Sequence, residues 1–283
     1  MKILVFGKTG QVATELQRQA DVTALGRTEA DLSDPEACAH IIAHTDADVI
    51  INAAAYTAVD LAEKEQPLAA CINGDAPTQM AQAAAARGIP FLHVSTDYVF
   101  DGSGDQARTE LAAPNPVNVY GRSKLQGEVG VASAGGPFAI LRTSWVFSAH
   151  GANFVKTMLR LGRERDALGI VNNQIGGPTP AADIAAALLT LATAFHAGEG
   201  KRGIYHFTGA PDVSWEGFAR EIFSQASVDV DVSGIHDSAY PTPATRPRNS
   251  RLDCTFLLQT FGIARPDWRR GLQDVLQELG ELG

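Results

Sequence analysis

Tyr120 and Lys124 stand four positions apart in a stretch that is compatible with a helix. On a helix, positions i and i+4 share one face, so the phenol and the ammonium would lie side by side. A neighbouring cation stabilises the phenolate, and we therefore expect Tyr120 to exchange a proton more easily than at its free pKa of about 10. The pair indicates a general acid/base for a carbonyl or an alcohol. An ordinary exposed helix could carry the same spacing, so the rest of the chain has to decide.

Hydroxyl and carboxyl groups follow a predicted strand at Phe91–Val94. Ser95, Thr96 and Asp97 come directly after this apolar run. Ligands of open α/β sheets bind at the carboxyl ends of the strands, which is where these side chains would lie. Thr96 could therefore face the same crevice as Tyr120, although a threonine here could also simply cap the strand end.

A glycine loop near the start of the chain predicts a dinucleotide site. The strand predicted at Lys2–Phe6 is followed by Gly7 and Gly10, and then by a helix predicted at Gln11–Gln19. Strand, glycine turn and helix open a βαβ unit in which the backbone approaches a pyrophosphate at the helix N-terminus. The alternative is a strand-to-helix turn without a ligand.

The end of the second predicted strand, Val22–Leu25, bears on the choice of cofactor. Arg27 stands where NAD-preferring sites carry an acidic residue, and an arginine suits a ribose 2′-phosphate. This favours NADPH, with NADH also open, and the alternative is a solvated surface arginine. Asp31 and Leu32 follow where contacts on the adenine side could form.

Small residues follow the third predicted strand, Asp48–Asn52. This strand is apolar at consecutive positions, as in a parallel sheet that is buried on both faces. It leads into Ala53-Ala54-Ala55-Tyr56-Thr57, where small side chains let a flat ligand pass close to the backbone. A helical region at Leu68–Arg87 follows, and Gly74 and Pro77 inside it predict a kink or two shorter pieces.

Strands and helices alternate up to a fifth strand at Phe138–Arg142, and such alternation predicts right-handed crossovers. The fold class is therefore α/β, a Rossmann-type doubly wound parallel sheet with a smaller C-terminal α+β substrate lobe. We expect residues 1–147 to form the NAD(P)-binding domain, with residues 174–197 packing back on it. Residues 148–173 and 198–283 would form the substrate-binding lobe.

Composition narrows the class of protein. A formal charge of −9 argues against nonspecific nucleic-acid binding, which needs a basic surface. Three widely spaced cysteines form neither a metal-ligand pair nor a disulfide framework, so a reducing cytoplasm fits best. The chain shows no signal-like segment and no apolar run of about 18 residues, so we expect no membrane span.

The order of these features resembles the extended short-chain dehydrogenase/reductase superfamily, and within it the dTDP-4-dehydrorhamnose reductase family. Five motifs, spread over nearly the full length, carry the closer resemblance: Phe6-Gly7-Lys8-Thr9-Gly10-Gln11-Val12, Ser95-Thr96-Asp97-Tyr98-Val99-Phe100, Asn118-Val119-Tyr120-Gly121, Arg142-Thr143-Ser144-Trp145-Val146 and Tyr240-Pro241-Thr242-Pro243-Ala244. The resemblance implies reduction of the C4 ketone of dTDP-4-dehydro-L-rhamnose by NAD(P)H, the last step of dTDP-L-rhamnose biosynthesis.

The resemblance also implies roles for individual residues. Tyr120 would give a proton to the ketone oxygen, Lys124 would lower the pKa of Tyr120 and hold the nicotinamide ribose, and Thr96 would orient the same oxygen. The residues expected at the cofactor are Gly7, Gly10, Gln11, Val12, Arg27, Asp31, Leu32, Ala55, Tyr56, Thr57, Tyr120 and Lys124. The residues expected at the substrate are Thr96, Asp97, Trp145, Asn153 and Arg246. Arg246 and Arg248 could instead be solvated; our hypothesis is that they meet the substrate diphosphate, since arginine suits bidentate phosphate contacts.

Two further expectations concern metal and partners. Some members of the family bind magnesium through acidic residues at a dimer contact. Glu15 matches one such position, but Ala182 stands in the region of the later acidic pair. The sequence therefore predicts no metal site and no metal-linked dimer, while a homodimer of another kind stays open.

Two kinds of alternative function remain. One is a reductase or epimerase of another nucleotide sugar, and the other is a noncatalytic regulatory subunit of the same fold. The presence of Thr96, Tyr120 and Lys124 together favours an enzyme.

Overall fold

The computed structural model describes all residues from 1 to 283. The strands, in chain order, are β1 (Ile3–Phe6), β2 (Thr23–Leu25), β3 (Val49–Asn52), β4 (Phe91–Thr96), β5 (Phe138–Thr143), β6 (Val146–Phe147), β7 (Ala167–Val171), β8 (Ile175–Gly176), β9 (Thr179–Pro180), β10 (Gly203–His206), β11 (Val213–Ser214), β12 (Asp231–Ile235) and β13 (Asn249–Ser250). The helices are α1 (Gln11–Gln19), α2 (Pro35–His44), α3 (Val59–Ala62), α4 (Gln66–Ala70), α5 (Ala76–Ala86), α6 (Val119–Ser133), α7 (Phe154–Glu164), α8 (Ala181–His196), α9 (Trp215–Gln225), α10 (Thr255–Phe261) and α11 (Trp268–Leu279).

A six-stranded parallel sheet in the order β10-β5-β4-β3-β1-β2 forms the centre of the molecule. β1 and β3 are buried at every position, which explains their continuous apolar sequence. Helices α1 and α8 cover one face of the sheet, and α2 and α5 cover the other. The predicted α/β fold with a doubly wound parallel sheet is confirmed.

The helical region at Leu68–Arg87 is interrupted, as the sequence predicted. A π-helical turn over Cys71–Asp75 separates α4 from α5 and contains Gly74. The Asn73 side chain from this turn accepts a hydrogen bond from the Tyr56 amide at 2.8 Å and donates to the Ser123 hydroxyl at 2.9 Å. The irregular turn therefore ties the segment after β3 to α6.

α6 lies unusually close to its neighbours because glycines face them. A Cβ at Gly121 would collide with the carbonyl oxygen of Tyr98, and one at Gly127 would collide with the carbonyl oxygen of Asn73. At the N-terminus of α6, the Asn118 side chain accepts a hydrogen bond from the Gly121 amide at 2.8 Å. This cap and the close packing fix where the first turn of α6, which contains Tyr120, begins.

A buried ion pair fixes the rest of α6 to the sheet. Glu128 on α6 accepts hydrogen bonds from Arg142 Nε at 2.9 Å and Nη2 at 2.6 Å, and from the Ser95 hydroxyl at 2.6 Å. Both charged side chains are only 2% exposed. The Arg142 guanidinium also lies over the Phe100 ring and beside His206 on β10. One carboxylate thus joins α6 to β4 and β5.

A smaller lobe holds a separate apolar cluster. It is built from α7, α9, α11 and the parallel pair β7–β12, and its centre includes Phe147, Phe218 and Trp268. Its helices begin at side-chain caps: Asn153 caps α7 and Ser214 caps α9.

One strand lies elsewhere than the sequence indicated. We expected residues 198–283 in the substrate lobe, but β10 is the edge strand of the central sheet and pairs in parallel with β5, Ile204 opposite Ile140. Tyr205 and His206 are fully buried there, and Tyr205 contributes to the same apolar cluster as α8. A strand of four residues carries too little pattern to reveal which of two lobes it joins.

None of the helices is both long enough and apolar enough to cross a membrane.

The buried ion pair yields a stability prediction. Glu128→Ala leaves the Arg142 guanidinium buried without its carboxylate, and we expect the free energy of unfolding to fall by about 3–5 kcal/mol. Denaturant unfolding measures this difference. Glu164→Ala is the matched control, since it removes an exposed carboxylate paired with Arg160 and should leave the midpoint nearly unchanged. Equal effects of the two substitutions would contradict the role given to Glu128.

Candidate active site

A cleft of about 760 Å³ opens at the carboxyl edge of the central sheet. Its walls are the glycine loop after β1, the segments that follow β2, β3, β4 and β5, and the first turn of α6. Trp215 at the start of α9 contributes from the smaller lobe. This is the position at which open α/β sheets bind ligands, and the volume suits a medium-sized ligand.

The cleft wall contains every residue that the sequence indicated for the cofactor: Gly7, Gly10, Gln11, Val12, Arg27, Asp31, Leu32, Ala55, Tyr56, Thr57, Tyr120 and Lys124. The loop geometry fits a pyrophosphate. Gly7 has a φ of 114°, and a Cβ there would press on the backbone of Ala53 and Ala54 at 3.3 Å. The space beside Gly10 is open, so a ligand can reach the backbone at the N-terminus of α1.

The end of the cleft beside β2 has an acidic residue that the sequence analysis missed. Glu29 accepts a hydrogen bond from the Gly26 amide at 2.9 Å, and its carboxylate lies 3.4 Å from Lys8 Nζ. Arg27 is exposed at the same edge. Two cations and one carboxylate therefore surround the region where the 2′ position of an adenine ribose is expected. In the sequence, the only sign of this acidic contact was a carboxylate two positions after Arg27.

Tyr120 is the second residue of α6, and its ring meets the Tyr98 ring edge-on at 5.5 Å between centroids. Burial raises the pKa of Tyr120, a hydrogen bond with Thr96 acts in the opposite direction, and the charge of Asp97 raises it further. The sequence predicted that Lys124 would lower this pKa. That prediction is wrong for the free protein, because desolvation of the phenol dominates and Lys124 makes its contacts elsewhere.

Lys124 is 1% exposed although it borders the cleft. Its ammonium nitrogen Nζ lies 2.7 Å from the carbonyl oxygen of Val94 and 3.2 Å from His93 Nε2. Burial lowers the pKa of Lys124 to about 8, although the charge of Glu128 acts in the opposite direction. The residue is thus a cation that can lose its proton near neutral pH.

Thr96 and Asp97 form the wall at the end of β4. The Thr96 hydroxyl donates to Asp97 Oδ1 at 3.0 Å and accepts from the Tyr98 amide at 3.1 Å, so it also caps the 3₁₀ turn over Asp97–Val99. Asp97 Oδ2 is buried and has no hydrogen-bond partner. Burial raises the pKa of Asp97 to about 6. Asp97 Oδ2 therefore gives the cleft wall near Tyr120 an unsatisfied hydrogen-bond acceptor.

Two stacked indoles form the opposite side. Trp145 and Trp215 lie 3.5 Å apart between ring centroids at 11°, and the Trp215 Nε1 donates to Gln174 Oε1 at 3.2 Å. Trp145 has a φ of 50°, a left-handed conformation that non-glycine residues rarely adopt. The sequence indicated Trp145 and missed Trp215, which was recognisable only as the residue after the α9 cap.

Two residues expected at the substrate do not border the cleft. The Asn153 amide donates to Gln11 Oε1 at 3.0 Å and to the Ser148 carbonyl at 2.7 Å, so it acts behind the cleft wall. Arg246 donates to Asp60 Oδ2 at 2.7 Å, and its Nη1 is buried without a partner. Both roles at the substrate stay predictions.

Arg248 is paired with Asp237 through two hydrogen bonds, at 2.7 and 3.0 Å. Its guanidinium is largely exposed. The suggestion that it meets a diphosphate therefore also stays a prediction.

Glu15 matches a position at which some members of the family bind magnesium, and in this structure it belongs to a cluster of ion pairs. His150 Nε2 lies 2.9 Å from Glu15 Oε1 and 3.8 Å from Glu278 Oε1. Arg18 Nη1 reaches both Glu278, at 2.6 Å, and His150, at 3.0 Å. The Arg18 guanidinium pairs with both carboxylates, and a histidine with two carboxylates is a poor donor set for magnesium, which prefers oxygen ligands. The expectation of no metal site stays a prediction.

Comparison with known proteins agrees with this geometry. Residues 1–281 match the family model described as RmlD substrate binding domain. The dTDP-4-dehydrorhamnose reductase of Burkholderia thailandensis is 46% identical, covering 95% of this chain and 96% of that protein. The one from Sinorhizobium fredii is 43% identical, with 99% and 98% covered.

A solved structure shows the same fold. The dTDP-4-dehydrorhamnose reductase of Bacillus anthracis, in complex with NADP, is 33% identical and superposes with a TM-score of 0.91, covering 98% of this chain and 99% of that one. The match extends over both lobes. The chain therefore belongs to the dTDP-4-dehydrorhamnose reductase family.

Proposed function

We propose that this chain reduces the C4 ketone of dTDP-4-dehydro-L-rhamnose to dTDP-L-rhamnose, the last step of dTDP-rhamnose biosynthesis. The observation that carries the proposal is the meeting of Tyr120, Lys124 and Thr96 in the cleft that also contains the glycine loop. The two relatives named dTDP-4-dehydrorhamnose reductase match this chain over nearly their full length, which supports the same substrate.

NADPH is the proposed cofactor and would supply the hydride that adds to the ketone carbon. The open backbone at Gly10 and the following turn of α1 would hold the pyrophosphate. Arg27 and Lys8 would neutralise a 2′-phosphate at the exposed end. Glu29 would limit this preference, and it provides an acceptor for the 2′-hydroxyl of NADH.

Tyr120 would give its proton to the ketone oxygen. A proton donor must be protonated at the working pH, and burial, which raises the pKa of Tyr120, ensures this. The Thr96 hydroxyl would turn from Asp97 to the same oxygen, so that two donors stabilise the negative charge that develops there. Asp97 would be left with both oxygens free to accept hydrogen bonds from sugar hydroxyls.

The stacked pair Trp145 and Trp215 would form the wall against which the sugar packs. An indole face is flat and apolar, and it suits the C–H face of a pyranose while the rim hydroxyls bond elsewhere. Because Trp215 comes from the smaller lobe and Trp145 follows β5, the sugar would lie between the two lobes.

A direct assay separates this function from its alternatives. A reductase consumes reduced cofactor in proportion to dTDP-4-dehydrorhamnose, which the fall in absorbance of NADPH measures. An epimerase would retain NAD and need no added reductant, and a regulatory subunit would give no turnover. Unchanged absorbance with this sugar present would therefore exclude the proposed reaction.

The proton donor is tested by Tyr120→Phe. Loss of the hydroxyl removes the proton and one oxyanion donor while the ring packing is retained, so we expect kcat to fall by about 100- to 10,000-fold. The KM for NADPH should change little. Steady-state kinetics measures both, and Tyr98→Phe, which alters the neighbouring ring, should keep most of the turnover. Near-normal turnover of Tyr120→Phe would remove Tyr120 from the mechanism.

The cofactor preference is tested by two substitutions that should change the preference for NADPH over NADH in opposite directions. Arg27→Ala removes a cation from the 2′-phosphate region, and we expect the affinity for NADPH to fall about tenfold or more with little change for NADH. Glu29→Gln removes the carboxylate that pairs with Lys8, so the ratio of kcat/KM for NADPH over NADH should rise. A ratio unaffected by both substitutions would mean that the 2′-phosphate binds elsewhere.

A further inference from the structure

His93 is a buried histidine that the proposed reaction does not use. It is 1% exposed on β4, and its ring stacks with the Phe91 ring at 6.3 Å between centroids. Its two nitrogens have different neighbours: Nδ1 lies 3.2 Å from Asn52 Nδ2, and Nε2 lies 3.2 Å from Lys124 Nζ. The three polar side chains form a line that ends at the cleft.

The orientation of the Asn52 amide is determined by the backbone. Asn52 Oδ1 accepts a hydrogen bond from the Ala54 amide at 3.1 Å. A reversed side chain would place two N–H donors against each other, so the NH₂ group must be the one that faces His93. It donates, and His93 Nδ1 must therefore be an acceptor without a proton.

This fixes the tautomer of the neutral ring. Neutral imidazole carries one proton, and with Nδ1 as the acceptor the proton stays on Nε2. His93 then directs an N–H group at Lys124 Nζ. An ammonium has three donors and no acceptor, whereas a neutral amine has a lone pair that can accept this bond and can still donate to Val94.

We propose that Asn52 and His93 form a buried donor chain that favours the neutral amine form of Lys124 in the free protein. The chain begins at a backbone amide, which cannot change its donor role, and it passes that constraint to the catalytic lysine. His93 is thus a positioning residue that sets the protonation state of Lys124 without contacting the substrate.

The charges around His93 and Lys124 are consistent with this arrangement. Burial lowers the pKa of His93 well below its usual value, and Lys124 lowers it further, so the ring is neutral. Burial also lowers the pKa of Lys124, and only Glu128, from one turn further along α6, opposes this. The neighbouring strands β3 and β5 place Asn52 and Ile140 opposite His93, and neither carries a charge. Tyr120, on the same helix face, is a neutral phenol.

The consequence for catalysis rests on the proposed function. When Tyr120 gives up its proton, the resulting phenolate favours the charged form of Lys124. Lys124 would take up one solvent proton, the proton that the net reduction consumes together with the hydride, and pass it to the phenolate, which restores the phenol and the neutral amine. An ammonium at Lys124 needs an acceptor at His93 Nε2, so the His93 proton would have to move to Nδ1 and the Asn52 amide would have to turn away. Because this turn breaks the hydrogen bond from the Ala54 amide to Asn52, the arrangement favours the return of Lys124 to the amine form.

The tautomer is tested directly, without substrate, by NMR of the protein labelled with ¹⁵N-histidine. The protein has seven histidines, and His93 is assigned by its missing signal in His93→Gln or, if that variant does not fold, by its contact with Phe91. We expect a neutral ring throughout about pH 5 to 8, where an ordinary histidine titrates, with its proton on Nε2 at every pH above the titration midpoint of Lys124. A proton on Nδ1 above that midpoint, or an imidazolium, would overturn the proposal.

Asn52→Asp tests the link to Lys124. A carboxylate still accepts from the Ala54 amide but accepts from His93 as well, so the proton moves to Nδ1 and Nε2 becomes an acceptor for the ammonium. In protein with labelled lysine, we expect the titration midpoint of Lys124 to rise by about 1 to 3 in pH. His93→Gln removes the N–H group that faces Lys124 without adding a carboxylate, so the midpoint should rise here as well, by less than in Asn52→Asp, which separates the donor chain from the charge of the new carboxylate.

A midpoint of Lys124 that does not move in Asn52→Asp, while the His93 proton does move, would refute the coupling. If the reductase assay shows no turnover but both NMR results hold, the proposed function fails and the donor chain stands. If turnover is found, the alkaline limb of the pH profile of kcat/KM should move in the same direction as the Lys124 midpoint.

Discussion

The buried ion pair between Glu128 and Arg142 is the interaction on which the active site depends. Tyr120, Lys124 and Glu128 follow one another at intervals of four residues, so they share one face of α6. A carboxylate held by two bonds from Arg142 and one from Ser95 fixes the rotation of that helix about its axis. An isolated pair of this kind is costly to desolvate, and the three hydrogen bonds offset that cost. The same bonds aim the phenol and the amine at the end of β4.

Burial also decides the chemistry of these groups. A solvated tyrosine beside a solvated lysine would be the acid/base pair that spacing alone suggests. Here both side chains are desolvated, and desolvation favours the uncharged form of each. A neutral phenol next to a lysine that readily loses its proton is a suitable starting state for a reduction, in which the substrate gains a proton. An oxidation in the same site would need the opposite state.

Local signals made much of the site predictable. The glycine loop, the Tyr120–Lys124 spacing and the hydroxyl at Thr96 are encoded over a few residues each, and the sheet brings them together because parallel strands end at one edge. Trp215, Glu29 and His93 were missed because their roles arise from contacts with residues far away in the chain. The pKa of Tyr120 is raised, whereas the sequence predicted that it would be lowered. The spacing of residues shows which groups are near one another but not how much water is excluded from them. The strand β10 was misassigned because four residues fit either lobe.

The position of Asn153 shows how the two lobes are joined at the glycine loop. Asn153 caps α7 of the smaller lobe and also donates to Gln11, the first residue of α1. Ser148 donates to the same Gln11 oxygen at 2.8 Å. The Gln11 side chain, which lines the cleft beside the glycine loop, is therefore held by two donors from the segment that leads into the smaller lobe. A residue that the sequence placed at the substrate thus lies behind the glycine loop, where it couples the geometry of that loop to the position of the lobe that carries Trp215.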